Sequence, residues 1–255
     1  MTVRIAVVSS PRSGNMWLRR LLVAAYGLEE RTAHAPDEVD WDGLPDDCVL
    51  QLHWHRTPAF RALLDTHGFS VVVLARHPLD VLVSILHFAP HEPQTACWLD
   101  GEGGGESRLI GADPASAAFL AYATGPRARA LLSITPEWWD HADGHVRYED
   151  LVETPAAELG RLVEELGVAP LVPAAQAVER VRFEELQQEA TNLHFWQGRP
   201  GLWKELVPTR YALAIAAVHP EMQRFGYRVG VDVATARARW QAIAVGAPLA
   251  HASYY

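Results

Sequence analysis

The chain has 255 residues, of which 49% are hydrophobic, so it is long enough to bury a sizeable core. Its formal net charge of −9 argues against a general nucleic-acid binder and against a polybasic membrane-surface protein. No apolar run reaches the length of a membrane span, no signal-peptide pattern begins the sequence, and two cysteines make no disulfide framework, so we expect a cytoplasmic protein.

The first third of the chain alternates apolar runs with helical patterns. Each of three apolar runs predicts a buried strand, and the apolar spacing of a helix follows each one. This alternation is typical of βαβ units and predicts an α/β fold, a central parallel sheet flanked by helices. The predicted strands are Val3 to Ser9, Cys48 to Trp54 and Ser70 to Ala75, and the predicted helices are Gly14 to Tyr26, Thr57 to His67 and Pro78 to His87.

The pattern changes in the middle of the chain. Residues 89–113 are rich in Gly and Pro and show no regular period, so we expect a long loop, mobile around Gly103 to Gly105. Since no repeat or linker divides the chain, we expect one domain over residues 1–255. The later predicted elements are helices at Pro114 to Tyr122, Arg127 to Trp139, Pro155 to Gly167, Pro173 to Phe183 and Thr209 to Val218, a short strand in HVRYED, and a C-terminal helical tail at 232–255.

The stretch PRSGNMWL joins the first predicted strand to the first predicted helix. Free backbone N–H groups and the positive end of the helix dipole favour a phosphate at such a junction. Arg12 supplies a cation, and Gly14 lets the backbone approach a ligand closely. The Walker A lysine is absent, so the loop suits a phosphate without being typical of an ATPase. An ordinary βα turn with a surface arginine is the alternative interpretation.

A second segment, LARHPLDVLVSILHF, places Arg76 at the end of a strand and Ser84 eight residues later on the following helix. This spacing lets both side chains face one anion at the carboxyl edge of the sheet. A strand-ending arginine paired with Asp80, and a serine bonded to its own helix backbone, form the alternative interpretation. Because the chain has one lysine, arginine must supply most of any anion binding.

Together these segments resemble the PAPS-dependent sulfotransferases of the cytosolic and bacterial type. (PAPS is 3′-phosphoadenosine-5′-phosphosulfate, and PAP is the nucleotide left after transfer.) PRSGNMWL is similar to the family's 5′-phosphosulfate loop and LARHPLDVLVSILHF to its 3′-phosphate segment. Similarity continues through PEWW, VRYEDL and GRPGLWKELVP, over nearly the whole chain. The resemblance implies a P-loop-like nucleotide-binding fold that moves a sulfuryl group from PAPS to an acceptor hydroxyl on a small molecule, sugar or lipid, with no metal.

The resemblance also implies roles for individual residues. Arg12 would stabilise charge on the oxygen that bridges phosphate and sulfur, while Arg76 and Ser84 would bind the 3′-phosphate, and Ser84 would also assist transfer. The chain departs from the family at Trp196 and Gln197, where basic residues are usual, and Arg199 is the candidate replacement. For Trp17, core packing is the alternative. The implied nucleotide-binding residues are Arg12, Ser13, Gly14, Asn15, Met16, Trp17, Arg76, Ser84, Tyr148, Phe183, Gln197, Gly198 and Arg199.

The expected catalytic base lies in LQLHWHRTP, between the two phosphate segments. His53 aligns with the family's catalytic histidine, while Gln51 replaces a lysine. A histidine at the carboxyl end of a strand suits removal of a hydroxyl proton. If the strand continues, His55 shares its face, so a metal site completed by His87 or His91 is an alternative, as is a structural histidine.

Two other functions stay open at this point. A kinase on a related P-loop fold is disfavoured by the missing Walker lysine and magnesium-binding hydroxyl. A non-catalytic nucleotide-binding protein of the same fold would account for Met16, Gln51, Trp196 and Gln197. The acceptor and the oligomeric state are not determined by the sequence. The aromatic candidates for an acceptor pocket are Phe88, Trp98, Phe119 and Tyr122.

Overall fold

The computed structural model describes residues 2–91, 93–182 and 197–230. In these ranges five strands form one sheet in the order β2-β3-β1-β4-β5, and every neighbouring pair is parallel. The predicted α/β fold with a central parallel sheet is therefore confirmed. The strands are β1 (Arg4–Val8), β2 (Glu29–Thr32), β3 (Cys48–Leu52), β4 (Phe69–Ala75) and β5 (Gly144–Arg147).

Helices cover both faces of the sheet, and the alternation of side chains along each strand explains why. Ala6 and Val8 of β1 lie in one hydrophobic cluster, whereas Ile5 and Val7 lie in a second cluster on the opposite face. The helices are α1 (Asn15–Tyr26), α2 (Pro58–Thr66), α3 (Pro78–Phe88), α4 (Ala117–Ala123), α5 (Pro126–Trp139), α6 (Tyr148–Glu153), α7 (Pro155–Leu166), α8 (Ala174–Arg180), α9 (Trp203–Leu206), α10 (Thr209–Val218) and α11 (Glu221–Arg224).

Strand β2 is an element that the sequence pattern does not predict. Its sequence, EERT, contains no apolar residue, and it forms an edge of the sheet. Backbone pairing with β3, in which Glu29 lies opposite Cys48, holds it in place. Hydrophobic periodicity cannot detect such a strand, because its side chains are mostly exposed and only its backbone enters the sheet.

Strand β3 ends at Leu52, two residues before the predicted end at Trp54. His53 therefore follows the last paired residue, as a residue at the carboxyl end of a strand should. The strand does not continue to His55, so the condition under which His55 would share the strand face is not met. His55 Nδ1 lies 3.0 Å from Glu137, and this hydrogen bond is the main cause that raises the pKa of His55.

The segment 89–113 is more regular than the sequence predicts. It contains 3-10 turns at Pro93–Gly101 and at Glu106–Leu109. The buried side chain of Arg127 in α5 pairs with Glu106 at 2.7 Å and donates to three backbone carbonyls of the segment. The segment therefore contains turns and tertiary contacts that the sequence pattern does not predict, while its mobility around Gly103 to Gly105 stays a prediction.

Some predicted features lie outside the described residues, namely Phe183, Trp196 and the C-terminal tail at 232–255. Within the three described ranges, every helix is too short or too polar to cross a bilayer.

Candidate functional site

Residues that follow the strands converge on one cavity at the carboxyl edge of the sheet. This cavity, which we call the edge cavity, has a volume of about 250 Å³. Because all five strands are parallel, their carboxyl ends meet at the same edge, where ligands of open α/β sheets bind. Each strand is followed within four residues by a residue that lines the cavity: Arg12 after β1, His34 after β2, His53 after β3, Arg76 after β4 and Tyr148 after β5.

Arg12 is held in the edge cavity by three contacts. Its Nε donates to Ser84 Oγ at 3.1 Å, and its guanidinium lies 4.0 Å from the centre of the Phe88 ring. Its carbonyl oxygen accepts a hydrogen bond from Arg76 Nη1 at 3.1 Å. Arg12 adopts a left-handed backbone, with φ of 64°, which costs an L-residue about 1–2 kcal/mol. These contacts offset that cost and aim the side chain at the cavity.

The electrostatics of Arg12 favour an anion in the edge cavity. Burial first, and then the nearby charge of Arg76, lower the pKa of Arg12 to about 9. Arg12 thus remains protonated at neutral pH, although the surroundings disfavour its charge. Asp80 is the one carboxylate among the described residues that line the cavity. An anionic ligand near these two arginines would relieve an electrostatic cost.

The rest of the loop after β1 makes different contacts from those the sequence predicts. Gly14 has φ of 106°, and a Cβ there would lie 2.4 Å from the Tyr148 ring, so glycine makes room for that ring. Asn15 Nδ2 donates to the carbonyl of Ser10 at 3.0 Å, which ties the loop together. Ser13 is buried and does not line the edge cavity, whereas Gly14, Asn15, Met16 and Trp17 do.

Aromatic residues form a second wall around Arg76. Its guanidinium lies 4.3 Å from the centre of the Tyr148 ring, and Tyr148 packs edge-on against Trp17 with ring centres 6.4 Å apart. The Tyr148 hydroxyl donates to the carbonyl of Gly198 at 2.7 Å. Since Trp17 is 5% exposed and still lines the cavity, it belongs both to the core and to the site.

The turn after residue 197 closes one side of the edge cavity. Asp80 accepts backbone hydrogen bonds from Gly201 at 2.6 Å and from Trp203 at 3.0 Å, so it is a structural carboxylate. Gln197 and Gly198 line the cavity as expected. Arg199 does not line it, because its exposed guanidinium pairs with Glu205 at 2.7 Å. The structure therefore does not bring Arg199 together with the other candidate residues.

His53 has the geometry of a base. Its Nδ1 lies 2.8 Å from the carbonyl oxygen of Ser9, and a carbonyl only accepts, so Nδ1 carries the proton. Its Nε2 is then the lone-pair nitrogen of a neutral ring. Desolvation by the pocket walls is the main cause that lowers the pKa of His53 to about 4, and the charge of Arg12 adds to it. At neutral pH the ring is uncharged and able to accept a proton.

The geometry does not support a metal site at the H-x-H pair. His55 contacts Glu137 and Glu102 away from the edge cavity, whereas His53 lines it, so the two histidines do not face one site. Across residues 2–91, 93–182 and 197–230, no group of three or more His, Cys, Asp or Glu side chains converges as a metal site would require.

Sequence patterns identified some of the residues that line the edge cavity and missed others. Phe88 and Trp98 were candidates and do line the edge cavity, with nearly parallel rings 6.3 Å apart. Phe119 and Tyr122, of the same aromatic set, are fully buried in the core instead. The wall formed by Thr32, Ala33 and His34 was missed, because it follows the unpredicted strand β2.

Comparison with solved structures identifies the fold. A crystal structure of mouse sulfotransferase SULT7A1 complexed with PAP matches with a TM-score of 0.64 and 18% identity, over 87% of this chain and 85% of that one. Retinol dehydratase in complex with androsterone and inactive cofactor PAP matches with a TM-score of 0.55 and 17% identity, over 86% and 80%. Retinol dehydratase with retinol and PAP matches with a TM-score of 0.55 and 16% identity, over 86% and 80%.

These similarities cover most of both chains, so the chain has the fold of the PAPS-dependent sulfotransferases. No protein-family model and no curated protein matches the sequence. The identities of 16–18% support a shared fold and leave the activity to be argued from the site.

Proposed function

We propose that this protein transfers a sulfuryl group from PAPS to the hydroxyl of a small-molecule acceptor. The observation that carries the proposal is the convergence of Arg12, Arg76 and His53 on the edge cavity of a sulfotransferase fold. Two arginines suit an anionic nucleotide, and a neutral histidine suits a hydroxyl that must lose its proton.

The residues present fit a nucleotide with phosphates at two positions. Arg76 Nε is buried and has no hydrogen-bond partner among the described residues, so it has a donor to spare for a 3′-phosphate. Arg12 lies beside the N-terminus of α1, where free backbone N–H groups suit a 5′-phosphate. Trp17 and Tyr148 offer aromatic surface for a base. Phe183 lies outside the described residues and Arg199 pairs with Glu205, so neither residue carries the proposal.

PAPS, when bound, supplies the sulfuryl group. His53 Nε2 takes the proton of the acceptor hydroxyl, while the Nδ1–H bond to Ser9 keeps the ring in the required tautomer. Arg12 stabilises negative charge near the 5′-phosphate, and Ser84 holds its guanidinium in place through Nε. Because arginine does not readily give up a proton, Arg12 acts electrostatically.

The acceptor side of the cavity is lined by the flat apolar surfaces of Phe88 and Trp98. The ring centre of Trp98 lies 6.0 Å from that of His53, so an acceptor packed on Trp98 places its hydroxyl near the base. Retinol dehydratase binds androsterone and retinol, which are apolar small molecules. A small hydroxylated molecule with an apolar body is therefore the proposed acceptor class.

Thermal denaturation with added nucleotides tests the proposed donor. PAP should raise the melting temperature more than AMP or ATP at equal concentration, because only PAP carries phosphates at both the 3′ and 5′ positions. A hundredfold excess over the dissociation constant should stabilise the protein by about 2.7 kcal/mol. Stabilisation that favours ATP and depends on magnesium would contradict the proposal and support a kinase.

A further inference from the structure

Gln51 lies between His53 and a buried arginine of helix α1. Arg19 Nη1 donates to Gln51 Oε1 at 3.0 Å, and Gln51 Nε2 lies 3.5 Å from His53 Nε2. Arg19 is 8% exposed, and its Nε pairs with Glu30 at 2.7 Å. A continuous chain of contacts thus runs from β2 through α1 and β3 to the histidine.

The orientation of the Gln51 amide follows from the chemistry of its neighbour. A guanidinium has donors only, so it must face the oxygen of an amide and not the nitrogen. Arg19 therefore fixes Oε1 on its own side and turns the NH2 group toward His53.

The oriented amide acts on the protonation of His53. An NH2 group can only donate, so it is compatible with His53 Nε2 as a lone pair and incompatible with Nε2–H. The Ser9 carbonyl imposes the same tautomer from the other side of the ring. At 3.5 Å the Gln51 contact is at the outer limit of a hydrogen bond, so an approaching hydroxyl can replace it.

We propose that Arg19 is a positioning residue that acts through Gln51 to keep Nε2 of His53 an unprotonated acceptor facing the edge cavity. Without Arg19, the Gln51 amide is free to rotate and present Oε1 to the ring. Both ring nitrogens would then face acceptors, which stabilises the imidazolium, and an imidazolium cannot take a hydroxyl proton. The catalytic consequence rests on the proposed sulfuryl transfer, whereas the protonation effect does not.

Several charged or titratable groups act on His53 besides this contact. Burial is the largest cause that lowers its pKa, the Ser9 hydrogen bond raises it, and the charges of Arg12, His34 and Arg19 lower it further. The experiment must therefore separate the orientation of Gln51 from the direct charge of Arg19.

The readout is the pKa of His53, measured by NMR from the imidazole resonances of the free protein. Arg19→Met should raise it by at least about half a unit, because a cation is lost and the amide can rotate. Arg20→Met is the matched control, since Arg20 pairs with the same Glu30 at 2.7 Å but is exposed, and Gln51 bonds Arg19 and not Arg20. Equal shifts in both variants would overturn the proposal.

A double-mutant cycle separates orientation from charge. In a Gln51→Leu background there is no amide to rotate, so Arg19→Met should shift the pKa of His53 less than it does in the presence of Gln51. Equal shifts in both backgrounds would show that Arg19 acts by charge alone and would overturn the proposal. If Arg19→Met does not fold, Gln51→Glu replaces it: a carboxylate facing Nε2 should raise the pKa of His53 by about one unit or more. An unchanged pKa would show that the side chain at position 51 does not act on Nε2 and would overturn the proposal.

Turnover with PAPS then distinguishes this proposal from the proposed function. In Arg19→Met the acid limb of the kcat/KM–pH profile should move to higher pH together with the pKa of His53, while PAP affinity stays unchanged. If the NMR shifts occur and the wild-type protein turns over no acceptor, the proposed function fails and the positioning role stands. If wild type turns over and the NMR shifts are absent, the positioning role fails.

Discussion

At the scale of single residues, Arg12 and Arg76 bring two positive charges to one end of the edge cavity. Arg76 donates to the Arg12 carbonyl, and its guanidinium lies over the Tyr148 ring. The guanidinium of Arg12 lies over the Phe88 ring. A contact with a ring face or a backbone carbonyl orients a guanidinium and adds no negative charge.

The proposed role of Arg76 predicts a loss specific to the 3′-phosphate. Arg76→Ala should weaken PAP binding by about 10- to 100-fold, the equivalent of 1.5–3 kcal/mol for a charge-assisted hydrogen bond, and should weaken AMP binding less. Isothermal titration calorimetry measures both. Arg199→Ala is the control, because Arg199 pairs with Glu205 outside the cavity and its loss should change neither affinity. Equal losses for PAP and AMP would make Arg76 a purely structural residue.

Gly14 allows a second prediction. Gly14→Ala should lower the free energy of unfolding by about 2–4 kcal/mol, because alanine is strained at positive φ and its Cβ would lie 2.4 Å from the Tyr148 ring. Gly68→Ala is the control for backbone strain alone, since Gly68 has φ of 68° with no atom within 4 Å of the added Cβ. Urea denaturation of both variants measures the difference, and equal losses would show that contact with Tyr148 is unimportant.

Part of the site could be predicted from sequence for a physical reason. Arg12, His53 and Arg76 each follow an apolar strand, and the carboxyl ends of parallel strands meet. The partners of these residues could not be predicted, because pairing depends on packing between distant segments. Ser84 was expected beside Arg76 but bonds Arg12, and Arg199 is captured by Glu205.

At the scale of elements, the buried Arg127–Glu106 pair holds the segment 93–109 on helix α5. Arg127 donates to the carbonyls of Thr95 and Trp98, and both of these residues line the edge cavity. Gly103 packs so closely on α5 that a Cβ there would lie 2.7 Å from the Arg127 backbone. The proposed acceptor side of the edge cavity thus depends on an ion pair that does not itself line the cavity.

Loss of this pair should affect stability and acceptor binding together. Arg127→Met should lower the free energy of unfolding by about 3–5 kcal/mol, because it leaves a buried carboxylate without its cation. The acceptor KM should rise while PAP affinity changes little, since the residues proposed to bind the nucleotide lie on other elements. Arg129→Met, an exposed arginine of the same helix, should change neither quantity. An Arg127→Met protein with wild-type stability would contradict this account.

The sequence pattern predicts an element only when burial of apolar side chains stabilises it. Strands β1, β3 and β4 are buried on both faces and have continuous apolar sequences, so the pattern detects them. Edge strand β2 has no such sequence and was missed. The end of β3 was set too late because Trp54 extends the apolar run, although pairing with β1 ends where Leu52 meets Val8.

At the scale of the whole molecule, two histidines link stability to pH. Burial is the main cause that lowers the pKa of His53 and of His77 to about 4. In the unfolded chain both titrate near 6.5, so between about pH 4 and 6.5 the unfolded state binds more protons. Stability should therefore rise with pH across that window. The raised pKa of His55 adds stability that is nearly constant there and is lost only at higher pH.

Urea denaturation at intervals between pH 4 and 7 measures this dependence. Each of the two histidines should contribute at most about 1.4 kcal/mol per pH unit. His77→Asn should flatten the profile, because asparagine keeps an acceptor for the Leu79 backbone N–H but does not titrate. A variant with the wild-type slope would show that His77 does not stay neutral in the folded protein.

The most direct test of the central claim is turnover of PAPS by wild-type protein and by His53→Ala, with a panel of hydroxylated small molecules and with PAP affinity measured in parallel. We expect wild type to form PAP and a sulfated product. His53→Ala should bind PAP normally while its turnover falls by about 10²–10⁴-fold, the loss expected when a general base is removed. His55→Ala should retain near-wild-type turnover, because His55 contacts Glu137 outside the edge cavity. Near-wild-type turnover by His53→Ala, or PAP binding by wild type without sulfation of any acceptor, would contradict the account.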